Sequence, residues 1–303
     1  MRSELKIAVI CLLTSVIACS PGDKAPAPSA LDDDAVTVGS FDFPESVVLA
    51  EIYAQALEAS GYEVERALAL GPREFVGPAL QDGLVELVPE YAGTAAEFAS
   101  LGAAEPSGDP AQAHAELVRA LDGGAVTALD AAPAQVANTF AVTVATADEH
   151  GLATLSDLAP VAAELSFGGP AECAARPLCL RGLEERYGFV FDDVRVLDTG
   201  GPVTRQALRN GDVDVALLFT TDPSLGEFVE LRDDAGLQPA ENVTPIVRTE
   251  VVDRFGQAFV GVVDDVSRRL TTQAVRQLNA AMDDPDGEPA GIAARWLEAE
   301  GLT

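Results

Sequence analysis

Basic side chains are scarce in this sequence. Its 303 residues include 19 Lys and Arg against 49 Asp and Glu, which gives a formal net charge of −30. Such a chain repels nucleic acids and anionic membrane surfaces, so neither is expected as a partner. The acidity itself has two interpretations: a strongly solvated surface suited to a saline exterior, or a field that attracts cationic ligands.

The chain also lacks the residues and motifs on which common enzymes depend. It has only two histidines, His114 and His150, and both lie in polar surroundings typical of a helix surface. There is no phosphate-binding loop, no G-x-G-x-x-G after a strand, no H-E-x-x-H and no G-x-S-x-G. The acidic residues are too numerous for a paired-carboxylate argument. We therefore expect neither an enzyme nor a cofactor or metal.

Only the N-terminus carries a long apolar run. It extends from Ile7 to Ala18 behind a basic start and is too short for a mature membrane span, so residues 1–18 are predicted to be a signal peptide. The letters VIAC at 16–19 resemble a bacterial lipobox, which implies a lipid on Cys19. Residues 19–35 are rich in Pro, Ala, Ser and Asp, as flexible tethers are. The expected location is the outer face of the cytoplasmic membrane, with the lipid as the only membrane contact.

Cysteine is equally rare. Beyond the leader and Cys19, only Cys173 and Cys179 remain. In an exported protein we expect these two to form a disulfide that closes a small loop. A metal site is the alternative, although five intervening residues are not a zinc-binding spacing.

From Val36 onward, short apolar strands alternate with amphipathic helices. One helical stripe, for example, consists of Leu49, Ile52, Tyr53, Ala56 and Leu57. The same patterns predict a strand over 139–146 and continuous helices over 154–165 and 264–282. Strand–helix repetition of this kind predicts an α/β fold with mostly parallel sheets flanked by helices.

The order of these elements predicts two lobes with a ligand cleft between them. We expect the first lobe to comprise 36–134 and 242–303, and the second to comprise 135–241. The chain would cross between lobes near 130–138 and 236–245, where Pro, Asn and small residues are typical of linkers. Ligands of such folds bind at the carboxyl ends of strands and the amino ends of helices.

Three predicted strand ends combine an aromatic ring with a hydroxyl or carboxylate. Aromatic residues make up only 6% of the chain, yet these turns hold Phe41, Asp42 and Phe43; Tyr91 and Thr94; and Phe219, Thr220, Thr221 and Asp222. Ring faces attract quaternary ammonium groups, and threonine hydroxyls or backbone amides hold a carboxylate. We expect Phe43 to plug the end of the sheet and Tyr91 to contact a ligand.

Five segments carry a family resemblance. They are VGSFDFPES with the following AEIYAQALEASGYEV, PALQDGLVELVPEYAGT, RGLEERYG, QALRNGDVDVALLFTTD and RLTTQAVRQLN. Together they resemble the substrate-binding proteins of osmoprotectant ABC importers, from about Val36 to the C-terminus. The resemblance implies a periplasmic-binding-protein fold, a ligand such as glycine betaine, choline, carnitine or proline betaine, and a membrane permease as partner. We expect the protein to be a monomer.

The resemblance also implies a set of binding residues. Tyr91 and Thr94 match a family motif that contacts the ammonium and carboxylate groups, and Arg176 matches an arginine that grips a carboxylate. Phe219 stands where many members have tyrosine, and a ring is kept. Two positions depart further: Phe41 and Asp42 replace a basic side chain and an amide.

Arg205 also departs from the family pattern, because it replaces a tyrosine and would repel a quaternary ammonium in the cage. Either Phe41 and Phe219 rebuild the aromatic cage, or the ligand differs. The alternative function is therefore the same fold binding an unrelated small molecule, or a sensor module.

Overall fold

The computed structural model describes residues 35–104 and 107–303. The predicted signal peptide, the proposed lipid site at Cys19 and nearly all of the predicted tether lie outside these residues. None of the described helices combines the length and apolarity needed to cross a membrane.

Ten strands form two separate five-stranded sheets within the described residues. The strands are β1 (Val36–Gly39), β2 (Val64–Ala67), β3 (Leu87–Tyr91), β4 (Val126–Ala128), β5 (Asn138–Val142), β6 (Ser166–Gly169), β7 (Asp193–Val196), β8 (Val215–Phe219), β9 (Val229–Leu231) and β10 (Val243–Arg248). The first sheet has the order β2-β1-β3-β10-β4, and the second has the order β7-β6-β8-β5-β9. We call each sheet with its packed helices a lobe.

Helices cover the faces of both sheets. They are α1 (Pro44–Ala59), α2 (Arg73–Gln81), α3 (Ala92–Ala99), α4 (Pro110–Leu121), α5 (Val144–His150), α6 (Leu180–Tyr187), α7 (Pro202–Asn210), α8 (Thr249–Arg269), α9 (Thr272–Met282) and α10 (Pro289–Glu300). The predicted stripe of α1 is buried, and its Tyr53 hydroxyl lies 2.9 Å from Oγ of Ser267 in α8. α8, α9 and α10 pack on α1, so the end of the chain belongs to the first lobe.

Both sheets are mixed, with four strands in one direction and one strand in the opposite direction. In the first sheet β1 pairs in parallel with β2 and β3, and β10 is antiparallel to β3 and β4. In the second sheet β6 pairs in parallel with β7 and β8, and β5 is antiparallel to β8 and β9. The reason is topological: β5 and β10 each begin where the chain enters a new lobe. They therefore run away from the junction toward which β3 and β8 run. The predicted two-lobed fold with mostly parallel sheets is confirmed, and each sheet contains one antiparallel strand.

The two chain crossings lie side by side. The Val136 amide donates to the Glu241 carbonyl at 2.9 Å, and the Val243 amide donates to the Ala134 carbonyl at 3.0 Å. Gln135 and Asn242 form an isolated antiparallel bridge. The lobes are thus joined by a short two-stranded ribbon that reaches the ends of β3 and β8.

The structure corrects three secondary-structure predictions. The strand predicted over 139–146 ends at Val142, because Thr143 caps α5 through the Thr146 amide. The helix predicted over 154–165 consists of two short 3₁₀ turns; Pro160 lies between them and cannot continue a helix. The helix predicted over 264–282 is broken after Arg269, where the Thr271 side chain caps α9.

The predicted disulfide is present. It joins Cys173 and Cys179, whose Cα atoms are 5.2 Å apart. Both cysteines are buried in the core of the second lobe. The disulfide holds the turn that connects β6 to α6.

Candidate functional site

Three aromatic rings meet at the carboxyl ends of β1 and β3. The centroids of Phe41 and Phe43 are 5.7 Å apart, and that of Tyr91 lies 6.3 Å from Phe41 and 6.1 Å from Phe43. We call Phe41, Phe43 and Tyr91 the three-ring cluster. The position is dictated by topology, since neighbouring parallel strands end at the same sheet edge. The sequence predicted the approach of Phe41 to Tyr91.

Burial within the three-ring cluster differs from the expectation. Phe41 is 3% exposed and Tyr91 is 7% exposed, whereas Phe43 is 38% exposed. Phe43 was expected to plug the sheet, but Phe41 fills that place. The Arg73 guanidinium carbon also lies 5.6 Å from the centroid of the Phe41 ring. A cation therefore already faces Phe41, and Phe43 is the ring most open to solvent.

Glu45 lies at the hydroxyl end of Tyr91 and connects the two lobes. It accepts hydrogen bonds from the Tyr91 hydroxyl at 3.2 Å, the Thr221 hydroxyl at 2.7 Å and the Asn279 amide at 2.6 Å. Thr221 follows β8 in the second lobe, while the other three residues belong to the first. Burial raises the pKa of Glu45, and the three hydrogen bonds oppose that effect. Burial and the neighbouring Glu45 raise the pKa of Tyr91, which keeps its hydroxyl protonated as a donor.

Thr94 is held by the protein's own side chains. Its hydroxyl accepts a hydrogen bond from Arg73 at 2.9 Å, and its amide donates to Glu241 at 3.1 Å. Arg73 also makes a bidentate ion pair with Glu90, with both distances 2.9 Å. Thr94, which was expected to bind a ligand carboxylate, is thus already bonded through its amide to the Glu241 carboxylate and through its hydroxyl to Arg73.

Glu241 belongs to the second chain crossing and caps α3. Its carboxylate accepts the amides of Gly93 and Thr94, which follow the first residue of that helix. Burial raises the pKa of Glu241 to about 7, although the positive charge of Arg73 acts in the opposite direction. A Cβ on Gly93 would lie 2.6 Å from Cβ of Pro239, so glycine is required here for contact with the crossing.

The second-lobe strand end contributes hydroxyls to the junction. The Thr220 hydroxyl donates to the Gln135 carbonyl at 2.9 Å, and its own carbonyl accepts from Arg276 of α9 at 2.7 Å. Phe219 is half-buried beside Gly200, where an added Cβ would lie 3.0 Å from its ring. The structure brings Thr221 to Glu45 but keeps Phe219 within the second lobe.

Arg205 forms a bond between the lobes. This α7 side chain makes a bidentate pair with Asp283, which follows α9, at 2.7 and 2.9 Å. It also lies 3.8 Å from the buried Asp222. Its charge is thus matched by two carboxylates, which removes the main reason to expect repulsion of a cation.

Two predicted residues are exposed. Asp42 lies between Phe41 and Phe43 in the sequence, and Arg176 lies in the turn closed by the disulfide. The neighbouring Leu178 carbonyl accepts hydrogen bonds from Asn138 and Gln238, so this turn contacts both crossings. Arg176 therefore belongs to the junction side of the second lobe.

Sequence reasoning missed Glu45, Arg73, Glu241 and Asn279. Glu45 follows Pro44 at the start of α1, the position of a carboxylate that interacts with a helix amino end, and this signal was available. The sequence contains no comparable signal for Asn279 and Glu241, because the residues that they contact lie far away in the chain.

A cavity of about 380 Å³ lies elsewhere, at the amino ends of β6 and β8. Its walls contain Ser166 and Asp214, which bond to each other at 2.7 Å, and no aromatic residue. This cavity therefore lacks the ring faces that attract a quaternary ammonium group.

Two α/β lobes joined by a double crossing, with aromatic and carboxylate groups at the junction, define an extracytoplasmic solute-binding protein. The family described as the substrate-binding domain of the ABC-type glycine betaine transport system, OpuAC, matches residues 34–299. The chain belongs to this family, whose members are transport solute receptors rather than enzymes, with a small-molecule ligand and an ABC permease as partners.

Two named relatives and one solved structure are similar to this chain over most of its length. The chain is 30% identical to the glycine-betaine-binding protein of Pseudomonas aeruginosa over 284 residues, which cover 89% of each chain. It is 27% identical to the glycine betaine-binding protein YehZ of Escherichia coli, covering 88% of this chain and 91% of the relative. A solved structure described as a glycine betaine/carnitine/choline ABC transporter has a TM-score of 0.77 at 23% identity, covering 88% of this chain and 99% of the other.

Proposed function

We propose that this protein captures a quaternary ammonium osmolyte, such as glycine betaine, choline, carnitine or proline betaine, and delivers it to its permease. The three-ring cluster is the observation that carries the proposal. Each ring face contributes about 0.5–2 kcal/mol to binding a desolvated cation. The names of the Pseudomonas aeruginosa and Escherichia coli relatives support the same ligand class.

We assign 36–134 with 242–303 to one lobe and 135–241 to the other, with the ligand between them. Tyr91 and Phe43 face the ammonium group. Thr221 and Phe219 approach from the second lobe, and the exposed Arg176 is available to a carboxylate at the lobe edge. Phe41, Thr94, Arg205 and Thr220 support the site through the contacts described above, and the exposed Asp42 lies beside Phe41 in the sequence.

The test is a calorimetric titration of the folded protein with glycine betaine, choline, carnitine and proline. We expect saturable one-to-one binding of at least one quaternary ammonium compound and weaker binding of proline. Thermal unfolding provides a second readout, since a ligand at a hundredfold excess over Kd raises stability by about 2.7 kcal/mol. Absence of binding to every compound contradicts the proposal and favours the alternative of an unrelated ligand or a sensor role.

We further propose that the protein is a monomer held at the membrane by a lipid on Cys19. The lipobox-like VIAC segment and the following Pro-rich stretch support this. In cells, Cys19→Ala should move the protein from the membrane fraction to the soluble fraction, whereas Cys11→Ala should not. An unchanged membrane fraction for Cys19→Ala would exclude the lipid anchor.

A further inference from the structure

Glu45 differs from the other buried acids near the three-ring cluster. Glu90 pairs with Arg73, and Glu241 lies in the field of the same arginine. All three donors to Glu45 are neutral: one phenol, one alcohol and one amide. Three donated hydrogen bonds on two oxygens suit an ionised carboxylate. Its three partners include no cation, so burial is left to raise the pKa of Glu45. An uncompensated buried charge is costly, and a cationic ligand would supply the missing counter-charge and stabilise the ionised form.

Most groups that would recognise an anion at this junction are already paired with carboxylates; Arg276 of α9 instead donates to the Thr220 carbonyl. Arg73 is paired with Glu90, and Arg205 is paired with Asp283. The amino end of α3 is bonded to Glu241. The amino end of α7 is bonded to Asp198, whose carboxylate accepts hydrogen bonds from the amides of Val203 and Thr204 at 3.0 and 2.8 Å. Apart from Arg176 and Arg276, the described junction offers a ligand carboxylate few positive groups. Of its buried acids, Glu90, Asp222 and Glu241 each lie near an arginine, whereas the partners of Glu45 are neutral.

We infer that the Glu45 carboxylate is the counter-charge for the ligand's ammonium group and makes the site favour cations over zwitterions. The inference rests on the proposed function. Glu45 accepts the hydrogen bond of the Tyr91 hydroxyl, and a quaternary ammonium group would contact the ring face of the same tyrosine together with Phe43. The negative charge attracts a choline-like cation fully, but it also repels the carboxylate of a zwitterion such as glycine betaine. Glu45 acts through space and determines specificity without direct contact.

The test compares three ligands by calorimetry: choline, glycine betaine and 3,3-dimethyl-1-butanol, the uncharged carbon analogue of choline. The variant is Glu45→Gln, which keeps the size and loses the charge. We expect the ratio of the glycine betaine Kd to the choline Kd to fall by about tenfold or more, given the strength of charge pairs in partly buried sites. Binding of the uncharged analogue should change by less than about threefold.

Two further variants separate charge from structure. Glu45→Asp keeps the charge and alters the hydrogen-bond geometry, so it should keep the wild-type ratio within about threefold. Glu65→Gln removes an exposed charge in β2 and should leave all three affinities unchanged. Thermal unfolding of each variant checks that it is folded.

The outcomes are distinguishable. Equal weakening of all three ligands by Glu45→Gln would assign Glu45 a purely structural role and overturn the inference, as would an unchanged ratio. If the folded wild-type protein binds neither choline nor glycine betaine, the proposed function fails first and the inference fails with it. If both bind and only the ratio is insensitive to Glu45, the proposed function stands alone.

Discussion

Replacement of Glu241 by glutamine should change how stability depends on pH. Burial raises the pKa of Glu241 from its ordinary value of 4.5 to about 7 in the folded protein. Between those two pH values the folded chain holds a proton that the unfolded chain has released. The stabilisation from this proton is complete below pH 4.5 and is lost as pH rises through 7.

The magnitude follows from the difference between the two pKa values. One pKa unit corresponds to about 1.4 kcal/mol, so the free energy of unfolding should fall by about 3 kcal/mol through this single group. The glutamine side chain of the variant cannot ionise and does not lose this stability. The free energy of unfolding of Glu241→Gln relative to wild type should therefore increase by about 3 kcal/mol between pH 4.5 and pH 8.

Urea unfolding at a series of pH values measures this difference. Fluorescence of Trp296, the single tryptophan, reports on the first lobe, where the amides capped by Glu241 lie. Subtracting the wild-type and variant curves removes the contributions of other buried acids such as Glu45 and Glu86. Glu65→Gln is the matched control and should give a flat difference. A flat difference for Glu241→Gln, or one of opposite sign, would refute the argument.

Two other contacts give separate predictions. Asp283→Asn weakens the bond of Arg205 between the lobes, a partly exposed pair worth about 1 kcal/mol or less, so ligand affinity should fall by up to about fivefold in calorimetry. The neighbouring Asp284→Asn should have no effect, and equal affinities in both variants would exclude a role for this pair. Removing the disulfide by Cys173→Ser with Cys179→Ser opens a loop with a sequence separation of 6 and should lower the free energy of unfolding by about 2 kcal/mol. Wild type in reductant should match the double variant, and stability that is insensitive to both treatments would contradict this estimate.

Sequence patterns predict the large features of this fold well. The stripe of α1, the strand ends and the two-lobed arrangement depend on local hydrophobic periodicity, which the sequence displays directly. The breaks at Val142–Val144 and Arg269–Thr272 were missed because single threonine caps outweigh an otherwise continuous pattern. The antiparallel direction of β5 and β10 follows from where the chain crosses, which local patterns do not encode.

The site was predicted only in part. Tyr91 was found because an aromatic residue at a strand end stands out in a chain with so few rings. Its link to Glu45 was not, because the carboxylate is held by Thr221 and Asn279, residues 176 and 234 positions away. Likewise, nothing near Arg205 in sequence indicates that Asp283 neutralises it. Pairings of this kind arise from packing between elements that lie far apart in the chain.

The central claim is that the three-ring cluster binds a quaternary ammonium ligand through Tyr91. Its most direct test is the dissociation constant of choline and glycine betaine for wild type and Tyr91→Ala, with Phe75→Ala, an exposed ring of α2, as the control. Loss of one ring face, worth about 0.5–2 kcal/mol, should weaken binding by about 2-fold to 30-fold for Tyr91→Ala. Phe75→Ala should bind as wild type does. Equal affinity of folded Tyr91→Ala and wild type would contradict the account.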